Sequence, residues 1–161
     1  MSKAFTSGDA QPETVRRAPV KAPPGEERPI TPEGREALEA QLRSLSDARA
    51  KLLGAGSVGE RNELDQQIQF VQVILESTRV VVTDEGQRDR GFFGATVELE
   101  DEQGERVTWR LVGPDEADAR AGKLSVASPL GKALLGREVG DEVRFDRPRG
   151  RAILEVVALR Y

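Results

Sequence analysis

The chain has 161 residues, no Cys, no His and a formal net charge of -4. These exclude disulfides, thiolate chemistry, Ser-His and Cys-His catalysis and every His-ligated metal site. By segment the charge is +1 over 1–30, -2 over 31–82 and -3 over 83–161, so the basic face of a protein that binds free nucleic acid by itself is missing, and little direct nucleic-acid binding is expected.

In chain order, residues 1–29 form a polar leader with prolines at 12, 19, 23, 24 and 29. Its composition predicts disorder, and it lacks the apolar stretch of a signal peptide. No apolar run approaches the roughly 18 residues of a membrane span, so a cytoplasmic protein without membrane contact is expected.

A helical hairpin is predicted over 30–82. Thr31-Pro32-Glu33-Gly34 opens the first helix, with Thr31 as cap and Pro32 in the first turn. Leu38, Leu42, Leu45 and Leu52 then fall in steps of four, three and seven, with Arg49 in the missing seam place. Gly54, Gly56 and Gly59 break the helix near Leu53, and a second runs from about Glu60 to Arg79 with Leu64, Ile68, Val71, Leu75 and Thr78 on its seam. The short loop makes the pair antiparallel, a short coiled coil about 30–35 Å long. Phe70 and Ile74 lie beside the seam.

Val80-Val81-Val82 reads as an extended exit into a linker over 83–90. From Gly91 the period changes to two. Strands are predicted at Ala95 to Glu100, Arg106 to Val112, Lys123 to Ala127, Glu142 to Phe145 and Ala152 to Leu159, with a helix from Pro129 to Leu135. The fold class is α+β: a hairpin, then a small antiparallel sheet over 91–161 with one helix. Phe93, Trp109 and Phe145 are expected in the sheet core; the competing reading, with Phe92 added, is the lining of a prolyl-isomerase pocket.

The order Thr31-Pro32-Glu33-Gly34, a hairpin ending in Val80-Val81, then Phe93-Gly94-Ala95-Thr96-Val97 resembles the Gre transcript-cleavage factors of bacterial RNA polymerase. Further matches are Leu111-Val112-Gly113-Pro114-Asp115-Glu116-Ala117-Asp118, the run from Ser128-Pro129-Leu130 through Leu134-Leu135-Gly136, and Val139-Gly140-Asp141-Glu142-Val143. The start Met1-Ser2-Lys3-Ala4-Phe5-Thr6 is similar to GreB-type members. The resemblance implies an FKBP-like domain that docks at the rim of the polymerase secondary channel, with the coiled coil entering it. It places Ser128, Pro129, Leu130 and Leu134 at the docking surface. In cleavage-competent members, acidic residues at the tip help hold a second Mg²⁺ at the polymerase active site, where carboxylates suit a hard cation. The factor is then not itself an enzyme, acts as a monomer and has no cofactor of its own.

The chain departs from the family at the tip. Glu63-Leu64-Asp65-Gln66-Gln67-Ile68-Gln69-Phe70 matches the family's second arm, but residues 54–62 lack its Gly-Asp, Glu-Asn and following acidic positions. Glu60, Glu63 and Asp65 are the candidate substitutes; their alternative readings are a helix-dipole partner for the two glutamates and a solvated flank for Asp65. A loss of about ten residues per arm shortens the probe by on the order of 15 Å. Gln66, Gln67, Gln69 and Gln72 stand where relatives often carry Lys and Arg, and Ala127 stands where many carry an acid. The expectation is a polymerase-binding modulator of elongation without efficient transcript cleavage. The alternatives are a cleavage-stimulating factor using Glu60 and Glu63, a prolyl isomerase, and an adaptor whose hairpin pairs with another coiled coil.

Overall fold

The computed structural model describes residues 26–161, which divide at Val80 and Val81 into a helical unit and a sheet unit. The leader expected over 1–25 lies outside the described residues.

In the helical unit, β1 (Arg28–Ile30) leads into α1 (Pro32–Lys51), α2 (Val58–Glu76) and β2 (Thr78–Val80). Thr31 Oγ1 accepts from Gly34 N at 3.0 Å, and Pro32 occupies the first turn. At 20 and 19 residues, the helices are about 30 and 28 Å long. The second begins two residues earlier than expected, because Ser57 caps it, and ends earlier too. Ser77 N donates back to Val73 O and Ile74 O, and Thr78 leaves the helix for a strand. Thr78 is therefore not a seam residue. Its strand pairs in parallel with β1, with Ile30 opposite Val80 and Ile30 fully buried. The expected leader thus gives up its last residues to a strand; Pro29 is tolerated there because a two-stranded ribbon has two edges.

The sheet unit contains β3 (Thr96–Asp101), β4 (Arg106–Val112), β5 (Lys123–Ser125), α3 (Pro129–Leu134), β6 (Glu142–Arg147) and β7 (Gly150–Arg160). The spatial order is β5-β4-β3-β7-β6. Asp101 Oδ1 closes the β3–β4 turn by accepting from Gln103 N and Glu105 N, both at 2.9 Å. Period-two patterning sets the core: Val97 and Leu99, Trp109 and Leu111, Val143, then Leu154 and Val156 all face one buried cluster.

The sheet is mixed, not purely antiparallel, because β5 runs parallel to β4. Asp118 and Lys123 exchange backbone hydrogen bonds at 3.0 and 2.9 Å, an added reversal that brings β5 up in the direction of β4. The helix α3 packs against β5 and β6, the two outer strands, so the sheet curls around it. Trp109 (8% exposed) belongs to the core and Phe145 packs against it, but Phe93 does not. Gly94, at φ 85°, turns the chain into β3 and puts the small Ala95 in the buried place.

The segment 83–90 is not a plain linker. It carries a 3-10 turn at Glu85–Gln87 and groups with the sheet unit.

Candidate functional site

The hairpin tip is built by two caps. Leu52 ends α1, Gly54 takes φ 92°, and Ala55 N and Gly56 N both donate to Leu52 O. Ser57 starts α2 with a reciprocal capping box: Glu60 N donates to Ser57 Oγ at 3.2 Å, while Glu60 Oε2 accepts from Ser57 N at 2.8 Å and from Ser57 Oγ at 2.9 Å. These bonds, the backbone one foremost, hold the Glu60 carboxyl below the usual glutamate range.

The structure does not bring the three tip candidates together. Glu60 is turned back on Ser57. Asp65 lies about two helical turns from the start of α2, with Oδ1 2.7 Å from Arg49 Nε on the opposite arm. Glu63 is exposed and has one long contact, from Gln67 Nε2 at 3.5 Å. Among the described residues no group of three acidic side chains is placed to hold a metal. A Mg²⁺ needs oxygen ligands at about 2.0–2.1 Å in a near-octahedral set, and carboxylates engaged in a cap and an ion pair do not fit that demand. Two large apolar side chains flanking the turn are also open to solvent: Leu53 is 69% exposed and Val58 64%. Sequence reasoning missed this pair, and it missed Ser57, although Ser-x-x-Glu was legible as a capping box. Gln66, Gln67, Gln69, Gln72 and Phe70 are all exposed.

On the sheet unit, Ser128 caps α3. Its Oγ accepts from Gly131 N at 3.0 Å and donates to Ser125 O at 2.6 Å. Pro129 is exposed and Leu130 is half-buried against the core. Leu134, expected at the docking surface, is 1% exposed and part of the core. One residue further the chain turns extended, and Leu135, 39% exposed, shows its side chain to solvent. The exposed residues at this helix are therefore Pro129 and Lys132, with Leu135 just past its end, and Leu130 is half-exposed.

A shallow depression beside Phe145 is bordered by Asp101, Gln103, Arg147, Arg151 and Ile153. It has one aromatic and a charged rim, while Trp109 lies in the core. No described helix is long and apolar enough to cross a membrane.

Comparison with known proteins adds the family. The sequence pattern described as "Transcription elongation factor, GreA/GreB, C-term" matches residues 86–161. A GreA of Desulfovibrio desulfuricans is 35% identical over 151 positions, covering 83% of this chain and 93% of that protein. A GreB of Pseudomonas aeruginosa is 36% identical over 150 positions, covering 82% and 89%. The solved structure of GreA factor homolog 1 from Thermus thermophilus is 31% identical, covers 84% of this chain and 99% of that one, and superposes with a TM-score of 0.42. The alignment with the D. desulfuricans protein has more positions than 83% of 161 residues can fill, so that relative carries positions absent here. The chain belongs to the GreA/GreB family of transcription elongation factors.

Proposed function

We propose that this protein docks on bacterial RNA polymerase through the α3 face of its sheet unit, inserts its hairpin into the secondary channel, and modulates elongation without efficient transcript cleavage. The observation that carries this reading is the state of the tip: Glu60 serves its own helix cap, Asp65 pairs with Arg49, and the exposed Leu53 and Val58 flank the turn. Family membership supports a polymerase as partner, and the exposed Pro129 and Leu135 offer an apolar contact for docking. The active site belongs to the polymerase, so the protein acts as a channel occupant and a competitor of longer relatives. The exposed glutamines of α2 give none of the counterion release that cationic side chains provide, so direct grip on the transcript contributes little.

A stalled, backtracked elongation complex tests this. Added protein is expected to leave the RNA 3′ end at the length set by the polymerase alone, and to suppress shortening by a cleavage-competent relative. Shortening that Glu60→Ala with Glu63→Ala abolishes would instead establish cleavage stimulation.

A further inference from the structure

The net charge of -3 over 83–161 hides one place where cations gather. The register puts Lys123 of β5 beside Arg110 of β4, Arg110 opposite Thr96 of β3, and Thr96 opposite Arg160 of β7. These four residues form one row across four strands, and directly paired residues share a face of the sheet. Their chain neighbours Leu124, Trp109, Leu111, Val97 and Leu159 belong to the core or pack against it. Alternation along each strand therefore puts the row on the opposite, outer face. Arg160 is exposed, and Lys123, Arg110 and Thr96 are half-buried.

Like charges side by side on adjacent strands cost stability, and Arg110 and Lys123 are such a pair. At a strand spacing of about 4.8 Å, the backbones of Arg110 and Arg160 stand about 9.5 Å apart. Only the short Thr96 lies between them in the row, so two guanidinium side chains flank one small hydroxyl residue. On β3 the nearest acid is Glu98, which Arg106 engages at 3.1 Å while binding Glu100 at 2.7 Å. Arg106 lies opposite Glu100, so this contact draws the Glu98 carboxylate away from the row.

We infer that this row binds phosphate groups, and that its ligand is the backbone of a single-stranded nucleic acid. The row spans about 14 Å, three strand spacings. A nucleic-acid strand carries a phosphate at every step and can meet Lys123, Arg110 and Arg160 in turn, and the guanidinium fork suits phosphate oxygens. A duplex would bring its second strand over the carboxylates of Glu98, Glu100 and Glu155, which share the face further along. An acidic peptide is the poorer fit. Peptides that bind sheets add to an edge through main-chain hydrogen bonds, whereas β4, β3 and β7 each have a strand on both sides. The row contains no aromatic side chain on which a base could stack, so binding is weak, independent of sequence and sensitive to salt. The surface lies on the sheet unit alone and needs no polymerase, so it stands whether or not docking does.

Anisotropy of a fluorescein-labelled oligothymidylate, titrated with the full chain, tests this. Binding should weaken as salt rises, with a slope of log K against log salt of about -2, as for three phosphates on a single strand. Arg160→Gln alone, at an exposed strand end, should reduce the slope to about -1.4. Arg110→Gln, Lys123→Gln and Arg160→Gln together should weaken binding at least about tenfold at low salt, with an unchanged circular dichroism spectrum. A control of equal charge, Arg144→Gln, Arg149→Gln and Arg151→Gln together, should bind within about twofold of the parent. The Arg160→Gln slope decides by itself if the row variant unfolds, and an unchanged slope overturns the assignment. No binding by the parent, undiminished binding by the row variant, or an equal loss in the control would also overturn it. Tighter binding of an oligoglutamate of the same charge would give the surface to an acidic protein instead.

Discussion

Arg49 Nε and Asp65 Oδ1 stand 2.7 Å apart and join the two arms of the hairpin. Arg49 fills the place where the leucine seam of α1 skips, and its charge claims one of the few carboxylates near the tip. The sequence oddity and the loss of a candidate metal ligand are thus one event. Both groups are partly exposed, so the pair is worth about 0.2–1 kcal/mol. Arg49→Leu is expected to hold or raise hairpin stability in urea denaturation by completing the apolar seam, and to reduce the salt dependence of that stability. A clear loss of stability on Arg49→Leu would show that the ion pair outweighs packing there.

Glu60 gives the hairpin a pH dependence. Its folded pKa lies below the ordinary 4.5, so its support for α2 is fully present above about pH 4.5 and is lost as pH falls through the lower folded value. Helix content measured by circular dichroism should decline in that acid window, and Glu60→Gln should remove this part of the decline. Ser57→Ala takes away the other half of the box and should cost about 1 kcal/mol. An unchanged acid profile in Glu60→Gln would contradict the assignment.

The neighbours Leu134 and Leu135 should behave oppositely. Leu134→Ala is expected to destabilise the sheet unit by about 2–5 kcal/mol, while Leu135→Ala should leave its melting temperature nearly unchanged. Gly131 is equally constrained: an added Cβ would lie 2.0 Å from Ser125 O, so Gly131→Ala should cost about 1–3 kcal/mol or displace α3. Equal melting temperatures for the two leucine variants would contradict the burial described above.

Docking is tested by Pro129→Arg. Pro129 is exposed at the first turn of α3 and the cap comes from Ser128, so the domain should stay folded while polymerase affinity drops at least tenfold, read by titration of labelled protein. Equal affinity would move the interface away from α3.

Much of the fold was legible because it is local. Thr31 with Pro32 marked the start of α1, the four-three spacing marked both helices, and alternation marked β3, β4 and β7. The misses were non-local or hinged on one residue. The β1–β2 ribbon joins three-residue segments some fifty positions apart, one carrying Pro29, and nothing in either segment announces the other. The parallel β5 depends on the Asp118–Lys123 reversal inside a loop. Leu134 and Leu135 are alike in chemistry, and the α3 C-terminus alone decides which is buried. At the tip, the absence of the acidic motif was readable, whereas the engagement of Asp65 by Arg49 required three-dimensional register.

The most direct measurement is the separation of the tip carboxylates from the catalytic Mg²⁺ in a cryo-EM map of the protein bound to a backtracked polymerase. The expected map has the sheet unit at the channel rim, the hairpin turn between Leu53 and Val58 leading, and every carboxylate of this chain well outside the first coordination sphere of about 2.0–2.1 Å. A map with a Glu60 or Glu63 oxygen bonded to the metal would contradict it.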